Sequence, residues 1–553
     1  RHFRHDIDDD LGRLSMVIWG GIRYNEREHR RREFSYMLVH DLLRRGNNSD
    51  DAVYSQLGAL TYLGLRVAAE NTRRRLYAEG IRRGTRVAVF SRNRAEYIAA
   101  AMAIASLGAI LIPVNFQFTE RETAAILKDA DCRYCLADRV LDLGDALHRE
   151  AFGPVKQLSL TDLIEPTTLP PPPLLPPDFG SDDPYAILYG MSSEGTLRGT
   201  VLSHRNLVMN AIDVQQTVLL RRTDNVLCAL PMYQSVGWIC GVLCALYVGA
   251  TVSILETFTP QKIVDVTRAL HVTVIVTSPS ALPYVTKLAD PADLKSLRFA
   301  VAVGRALPSG AEEAFWQKFG VGVASGYGIP EASAVVTLSP PEAPRVGSVG
   351  QAIPDVRLRV AGGDGLAVPD GEIGELWVQG PNVMHGYWRQ DEATAAALHD
   401  GWLHTGDMAH IDERGDVYLA GRRGRYMESS GEEIAPREIE RVVLSYPGIA
   451  EAAVVVVPDP QRGEAAVLFY TAEKDGVVET KALKKYLQKR LALFKMPRDM
   501  REIETMPRQE DGRIDTARLR SVPLPVGINH PNNAAAPVTL PVTGAAKGQS
   551  VQS

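Results

Sequence analysis

Two periodicities of apolar residues alternate between positions 58 and 140. An amphipathic helix is predicted from Leu60 to Arg75, and further helices are predicted from Ala95 to Leu107 and from Glu120 to Asp129. Continuous apolar runs lie between them, at Arg86–Phe90 and Ala109–Val114. Helices that alternate with buried strands are typical of parallel sheets covered by helices. The same rhythm returns over 185–300, where strands are predicted near Ala186–Tyr189, Thr251–Leu255 and Val272–Val276.

Residues 225–255 contain no charged side chain and include the apolar segment GWICGVLCALYVGATVSIL. A membrane-spanning helix needs about 20 apolar residues. Pro231, Gln234 and Ser235 interrupt the first half of this stretch, and the sequence after Gly249 indicates a turn into a strand. The pattern therefore favours a buried helix followed by a buried strand over a membrane span.

A proline-rich segment separates the two strand–helix blocks. Residues 165–183 read EPTTLPPPPLLPPDFGSDD, with seven prolines from Pro166 to Pro177. Proline lacks the backbone N–H that a helix interior or a central strand requires. An extended, exposed connector is therefore predicted. A ligand for a proline-binding domain is the alternative.

The character of the sequence changes after about residue 345. Gly- and Asp-rich turns separate VRLRVAG, GEIGELWVQG and GDVYLAG, which predicts a β-rich subdomain over about 345–420. Strands at Ala452–Val457 and Ala466–Tyr470 and a helix at Lys481–Leu493 are predicted beyond it. The expected fold is α/β, with a large N-terminal domain of parallel sheets covered by helices, the β-rich subdomain, and a small mobile α+β C-terminal domain. The expected segments are an N-terminal extension (1–49), the large domain (50–422), the C-terminal lid domain (423–521) and a disordered tail (522–553).

Charge and cysteine content narrow the class of protein. The 553 residues include 61 Lys+Arg and 66 Asp+Glu, a formal net charge of −5, which leaves no cationic excess for nucleic-acid phosphates. Five cysteines in so long a chain do not make a disulfide framework, and Cys132-x-x-Cys135 has no second pair to complete a zinc site. The opening RHFRHDIDDDLGRLS lacks the apolar segment of a signal peptide. We expect a cytoplasmic protein with no membrane span and no nucleic-acid partner.

The segment Tyr189–Gly199 (YGMSSEGTLRG) combines glycines, hydroxyls and a cation between a predicted strand and a predicted helix. Glycine lets backbone amides approach phosphate oxygens, hydroxyls add donors, and the cation offsets charge. Gly190 and Gly195 have the spacing of a Walker loop, but Thr196-Leu197 follows where Lys-Ser/Thr is required. A P-loop NTPase is therefore excluded. Taken alone, the segment is more consistent with a plain turn than with a phosphate loop, and the Glu194 carboxylate would repel a phosphate.

Seven segments along the chain resemble the motifs of one known superfamily. They are YGMSSEGTLRGTVLSHRNL (189–207), LPMYQSVG (230–237), AVAVGRALPSG (300–310), SGYGIPEAS (325–333), GEIGELWVQGPNVMHGYW with GWLHTGD (371–407), GRRGRYMESSGEEIAPREIE (421–440) and MPRQEDGRIDTARLR (506–520). In content and order they resemble the motifs of the adenylate-forming superfamily, which contains acyl-CoA synthetases, luciferases and peptide-synthetase adenylation domains. The resemblance covers roughly residues 50–520, and seven ordered motifs are far more specific than one.

The resemblance implies ATP-dependent activation of a carboxylic acid, fatty or aryl, and transfer of the acyl group to coenzyme A. It implies that ATP, Mg²⁺, coenzyme A and the acid are the small-molecule partners. The implied nucleotide-binding residues are Ser192, Ser193, Gly195, Gly304, Arg305, Ala306, Gly326, Tyr327, Gly328, Asp407 and Arg422. Among them, Asp407 would accept both ribose hydroxyls, and Tyr327 would stack on the adenine.

The remaining implied roles concern the reacting groups. Glu331 would hold Mg²⁺, a cation that prefers oxygen ligands, and Arg198 and Arg513 would serve in catalysis. Arg425 would stand at the hinge before the C-terminal domain. Residues Tyr233, Gln234 and Gly237 would border the acid pocket.

Several implied catalytic positions depart from the family pattern, so the motifs are degenerate. Arg198 stands for the phosphate-loop lysine, Glu194 for a threonine, and Arg513 for the lysine that bridges the carboxylate and the α-phosphate in the family. Arginine keeps the charge but is planar and fork-shaped, so the exchange is not conservative.

Two functions stay open: an active acid–CoA ligase, and a member that binds nucleotide or an acyl ligand without efficient adenylation. An amine acceptor is a third, and the oligomeric state is open, a homodimer included.

Overall fold

The computed structural model describes residues 36–55, 58–304, 307–308, 310–343, 345–422, 426–429, 431–459, 462–473, 478–509 and 514–522. These residues form two large sheets covered by helices, a five-stranded sheet after residue 356, and a small C-terminal α+β unit. The predicted α/β architecture is confirmed. In the part of the chain that is described, no helix has the length and apolarity needed to cross a membrane.

A seven-stranded sheet contains the strands of the first strand–helix block and four further strands. Its strands in spatial order are Gly386–Tyr387, Leu197–Ser203, Pro184–Met191, Ile110–Val114, Arg86–Phe90, Tyr134–Ala137 and Lys156–Ser159. The last five run parallel to one another. The predicted helices follow as Tyr62–Ala78, Ala95–Ser106 and Glu120–Asp129. Thr119 fixes the start of helix Glu120–Asp129. Its hydroxyl accepts a hydrogen bond from the Glu122 backbone N–H, and the Glu122 carboxylate accepts one from the Thr119 backbone N–H.

The segment 189–199 corrects one prediction. It is the tip of an antiparallel hairpin, not a loop between a strand and a helix: Pro184–Met191 pairs with Leu197–Ser203, and helix His204–Val218 begins directly afterwards. Only residues 192–196 form the turn. The second strand is stabilised on its other edge by Gly386–Tyr387, far away in sequence, which local sequence could not indicate.

A nine-stranded sheet combines strands of the second block with strands from residues 51–61 and 322–352. Its strands in spatial order are Gln351–Ala352, Thr337–Leu338, Gly322–Tyr327, Phe299–Gly304, Val274–Thr277, Asn225–Cys228, Thr251–Ile254, Asp51–Ser55 and Gly58–Thr61. Between the strands that start at Asn225 and Thr251, the chain is helical from Ser235 to Val248, with a π-helical middle, Ile239–Leu243. Cys240 and Cys244 are buried there. The buried helix followed by a buried strand is thus confirmed.

The two large sheets share one apolar core. Helix Ala95–Ser106 is buried from Ala95 to Ala105, and Glu96 is the one charged residue in that run. The 3₁₀ helix Val39–Arg44 places Val39 and Leu42 fully in this core. The remaining helices of the body are Gly144–Arg149, Leu160–Ile164, Pro260–Leu270, Leu282–Leu288, Ala311–Phe319 and Asp391–Ala397, with a 3₁₀ turn at Pro330–Ala332.

The proline-rich connector 165–183 contains no helix or strand, as predicted. Three consecutive arginines of helix Tyr62–Ala78 hold its backbone. Arg73 donates to the carbonyls of Pro172 and Pro173, Arg74 donates to that of Leu169, and Arg75 reaches those of Glu165 and Pro166. The connector is therefore fixed along the surface of the body.

The two C-terminal parts follow the predicted order. The β-rich sheet contains Arg357–Ala361, Gly374–Gln379, Trp402–Ile411, Leu398–His399 and Val417–Arg422. The C-terminal unit, the described residues from 426 to 522, has strands Met427–Ser429, Glu432–Ile434, Ile449–Asp459, Gly463–Ala472 and Asp499–Glu502 and helices Pro436–Leu444, Thr480–Gln488 and Thr516–Arg520. The predicted helix at 481–493 ends early at Gln488, before a separate 3₁₀ turn, Leu493–Lys495. The predicted tail lies outside the described residues beyond 522.

Candidate functional site

A cavity of about 780 Å³ lies where the C-terminal unit faces the main body. Gly304 and Tyr327, the last residues of two neighbouring parallel strands, reach its wall, as does Asp407 of the β-rich sheet. Glu432 contributes from the C-terminal unit. In α/β proteins, ligands bind outside the carboxyl ends of parallel strands, so this cavity is the candidate site.

Most of the predicted site residues that the structure describes line this cavity. Those that line it are Ser192, Arg198, Tyr233, Gln234, Gly304, Tyr327, Gly328, Glu331 and Asp407. Four predicted residues are not part of its wall: Ser193, Gly195, Gly237 and Gly326. Arg305, Ala306, Arg425 and Arg513 lie outside the described residues. Arg422 ends a strand of the β-rich sheet, and its backbone is paired with that of Asp407.

Asp407 and Tyr327 form a buried hydrogen-bonded pair. The Tyr327 hydroxyl donates to Asp407 Oδ2 at 2.5 Å, and the two residues are 3% and 6% exposed. The Thr405 hydroxyl accepts from the Asp407 backbone N–H at 3.0 Å. These contacts hold the carboxylate at the cavity wall in one orientation, which suits a group that accepts hydrogen bonds from a bound ligand.

Two of the predicted glycines serve packing behind the cavity. A Cβ atom at Gly326 would lie 2.5 Å from the Thr337 carbonyl oxygen, and one at Gly237 would lie 2.2 Å from the Pro231 carbonyl oxygen. No real Cβ atom approaches another atom so closely. These glycines therefore bring backbone segments together, and their part in the site is to shape it from outside its wall.

The turn 192–196 is closed by its own hydrogen bonds. The Gly195 N–H donates to the Ser192 carbonyl at 2.7 Å, and the Ser192 N–H donates to the Thr196 carbonyl at 2.8 Å. The Thr196 N–H donates to the Ser192 hydroxyl at 3.1 Å. Three amides that a phosphate would be expected to engage are thus occupied within the turn in this conformation.

The C-terminal unit packs directly on the same turn. Arg441 donates to the Gly195 carbonyl at 2.7 Å and to the Glu194 carbonyl at 2.8 Å. Gly195 has φ +74°, and a Cβ atom there would lie 3.1 Å from the Glu438 backbone nitrogen. The Glu194 side chain is exposed and does not fill the cavity.

Arg198, Tyr387 and Glu331 form a second cluster in the cavity region. The Arg198 guanidinium lies 5.0 Å from the centre of the Tyr387 ring, and the Tyr387 hydroxyl donates to Glu331 Oε1 at 2.9 Å. Burial, reinforced by the Glu331 carboxylate, raises the pKa of Tyr387, so its hydroxyl stays a neutral donor. Sequence reasoning missed Tyr387, although it lies in the segment GPNVMHGYW that carries part of the resemblance.

A third cluster crosses from the body to the C-terminal unit. Glu432 Oε1 accepts from the hydroxyl of Tyr233 and, at 3.0 Å, from Gln234 Nε2. Desolvation raises the pKa of Glu432, while hydrogen bonds from Tyr233 and Gln234 and the charge of Lys495 oppose that change. Glu432 was not predicted, because 199 residues separate it from Tyr233 and nothing local marks the contact.

Two family models match most of the chain. Residues 44–388 match the AMP-binding enzyme family, and residues 438–513 match the C-terminal domain of AMP-binding enzymes. The matched regions contain the hairpin, the strands that end at Gly304 and Tyr327, and most of the C-terminal unit. The chain belongs to the family of AMP-binding enzymes.

Characterised relatives span nearly the same length. Sulfoacetate–CoA ligase from Cupriavidus necator is 30% identical over 83% of this chain and 92% of its own. Feruloyl-CoA synthase from Amycolatopsis sp. is 32% identical over 84% of this chain and 94% of its own. The structure of o-succinylbenzoate CoA synthetase from Bacillus subtilis superposes with a TM-score of 0.80 over 88% of this chain and 99% of its own. At 24% identity that likeness concerns the fold.

Proposed function

We propose that the protein is an ATP-dependent acid–CoA ligase. The observation that carries the proposal is the arrangement of Asp407, Tyr327, Arg198 and Glu331 around one cavity that the C-terminal unit closes. The names of the two relatives, a sulfoacetate–CoA ligase and a feruloyl-CoA synthase, support the same reaction class. Those two acids differ greatly, so the relatives leave the acid itself open.

In this proposal, the nucleotide lies along the carboxyl ends of the strands. Asp407, oriented by Tyr327, accepts hydrogen bonds from the ribose hydroxyls, and the Tyr327 ring contacts the adenine. Gly304 lets the base and sugar approach the backbone, since it carries no side chain and a Cβ atom there would meet nothing within 4 Å. Arg198 supplies positive charge to the phosphates.

Mg²⁺ belongs to this proposal through Glu331. Among the described residues, no three His, Cys, Asp or Glu side chains converge as a metal cage. Mg²⁺ at ATP sites commonly uses one or two carboxylates, substrate phosphates and waters, and the half-buried Glu331 carboxylate at the cavity wall fits that requirement. The ion would neutralise phosphate charge there.

The reaction proceeds in two balanced steps. A carboxylate oxygen of the acid attacks the α-phosphorus of ATP, and the bond to pyrophosphate breaks. The thiol sulfur of coenzyme A then attacks the acyl carbon, AMP leaves and the thiol proton is released. The residues act by positioning and by charge stabilisation, and Arg513 is the C-terminal cation that we assign to the first step.

Pyrophosphate exchange and thioester detection test the proposal. Purified protein with ATP, Mg²⁺ and a panel of carboxylic acids should exchange labelled pyrophosphate into ATP with at least one acid. Addition of coenzyme A should yield an acyl-CoA detected by mass spectrometry. Asp407→Ala should abolish both, while the exposed Asp370→Ala, in a loop of the same sheet, should not. Absence of exchange with every acid would refute the proposal.

A member that binds nucleotide without efficient adenylation is the second candidate. The closed turn 192–196 favours it, because the turn amides bond within the turn and Arg441 holds two of its carbonyls. ATP binding measured by calorimetry, without exchange for any acid, is its expected signature. Arg513→Lys discriminates further: a rise in exchange of about tenfold, or 1.4 kcal/mol of barrier, would identify that arginine as the limiting group.

A further inference from the structure

A second, much smaller cavity adjoins the large one. It has a free volume of about 10 Å³. Both cavities are bounded by Pro113, Leu188, Tyr233, Gln234 and Ser235. These shared residues form a junction that joins the nucleotide side to a pocket deeper in the body.

The deep pocket is apolar. Its 14 lining residues include no Asp, Glu, Lys, Arg or His. Its inner side contains Tyr97 and Trp238, whose rings meet edge to face with centres 5.7 Å apart. Trp238 is 4% exposed and does not line the large cavity. The indole therefore limits how far a ligand entering through the junction can extend.

The deep pocket offers no positive charge to an anionic group. Glu432 approaches Tyr233 and Gln234 at the junction, and no cationic residue lines the deep pocket. A carboxylate or sulfonate at the far end of a substrate would lie in this deep pocket with no cation to compensate it. Uncompensated buried charge is strongly unfavourable.

The free volume of the deep pocket limits the size of the acid that can enter it. A cavity that holds benzene measures about 150 Å³, whereas about one water molecule needs 10–15 Å³. The deep pocket thus has room for little beyond the junction itself, because Trp238 occupies the space that a ring or a long chain would need.

From these observations we propose that the acid activated by this protein has a short, uncharged aliphatic tail, and that Trp238 is the residue that sets its length. The inference rests on the proposed ligase function and names the substrate class of that site. It separates this chain from its relatives that are named for sulfoacetate and ferulate.

The test compares acids by kcat/KM in pyrophosphate exchange. Propionate should exceed hexanoate by about 100-fold or more, since each methylene at a closed pocket changes discrimination by about 10–200-fold. Propionate should exceed succinate and sulfoacetate by about 100-fold, because those acids place a second anion in a pocket that no cationic residue lines. Ferulate should give no measurable exchange.

Variants at Trp238 test the residue itself. Trp238→Leu should raise the hexanoate-to-propionate ratio by about tenfold or more, and Trp238→Phe, which removes less volume and is safer for folding, should raise it by a smaller amount. Trp316→Leu, on the exposed face of helix Ala311–Phe319, is the matched control and should leave the ratio unchanged.

The outcomes separate the two levels of the argument. Exchange that is best with ferulate, succinate or sulfoacetate would overturn the substrate class and leave the ligase function standing. An unchanged ratio in both folded Trp238 variants would overturn the role of Trp238. Absence of exchange with every acid in the wild-type protein would overturn the ligase function, and the inference with it.

Discussion

The Lys495 ammonium group lies 2.7 Å from the Glu122 carboxylate, although 373 residues separate the two along the chain. Lys495 also donates to Glu438 Oε1 at 2.6 Å. Glu122 belongs to the main body, whereas Lys495 and Glu438 belong to the C-terminal unit, and the Lys495 and Glu438 side chains are 6% and 8% exposed. One cation shared by two carboxylates thus joins the unit to the body at a dry contact.

Removal of this cation should weaken the contact. Lys495→Met leaves the Glu122 and Glu438 carboxylates without their partner, and loss of one member of a buried ion pair costs about 3–5 kcal/mol. We expect a loss of this size in urea unfolding. Lys489→Met, at an exposed position of the same unit, is the control. Equal stability of the two variants would contradict the prediction.

The same cluster should make stability depend on pH. Desolvation raises the pKa of Glu438, although Lys495 opposes the change. The folded protein then binds this proton more tightly than the unfolded chain, so the free energy of unfolding falls as pH rises from about 4.3 through the raised value. Burial opposes the charge of Lys495, but the Glu438 and Glu122 carboxylates outweigh it and raise the pKa of Lys495. Its contribution to stability is therefore complete below about 10.4 and is lost at higher pH.

Glu438→Gln should reduce the first of these changes. The stability lost between pH 4.5 and 7 in urea unfolding should be smaller in this variant than in the wild type, because glutamine does not titrate. Glu479→Gln changes an exposed residue of the same unit and should follow the wild-type curve. Parallel curves for all three proteins would assign the pH dependence to other groups.

Tyr387 should influence activity through Glu331. Tyr387→Phe removes the hydroxyl that donates to Glu331 Oε1, and a hydrogen bond to a charged group contributes about 1.5–3 kcal/mol. We expect kcat for pyrophosphate exchange to fall by about tenfold, with the Mg²⁺ concentration for half-maximal rate increased. Tyr36→Phe, 81% exposed, serves as control. A fall in melting temperature alone, with normal kinetics, would show a purely structural role.

Tyr327 should affect nucleotide affinity through Asp407. Tyr327→Phe keeps the ring but frees Asp407 from the 2.5 Å hydrogen bond that orients it. ATP should bind about tenfold more weakly in calorimetry, as expected for a lost charge-assisted hydrogen bond. Tyr284→Phe, at a partly exposed tyrosine outside the cavity, should bind ATP normally. Unchanged affinity of Tyr327→Phe would mean that Asp407 is oriented without this hydroxyl.

Two glycines of the hairpin provide a matched pair. Gly195→Ala places a methyl group 3.1 Å from the Glu438 backbone nitrogen, at φ +74°, and such a left-handed residue costs about 1–2 kcal/mol. Gly190→Ala meets nothing within 4 Å at an ordinary φ. Urea unfolding should therefore show a clear loss of stability for the first variant alone, and equal losses would contradict the contact.

Local chemistry made much of the fold predictable. Helix Glu120–Asp129 was predicted to the residue because Thr119 and Glu122 cap it through neighbours in sequence. The hairpin was missed because its second strand depends on the remote strand Gly386–Tyr387. A motif could indicate Asp407 and Tyr327, but their mutual hydrogen bond spans 80 residues. Contacts between residues so far apart in sequence depend on how the whole chain packs, so local sequence does not reveal them.

Arg441 donates its hydrogen bonds to backbone carbonyl groups of the turn 192–196 and not to side chains. Arg441 therefore binds the turn in the same way whichever side chain stands at position 194. A Cβ atom at position 195, in contrast, would press against the backbone of the C-terminal unit. Over evolutionary time, position 194 can therefore accept many residue types, of which glutamate is one. Position 195 must remain glycine for as long as the C-terminal unit packs on this turn.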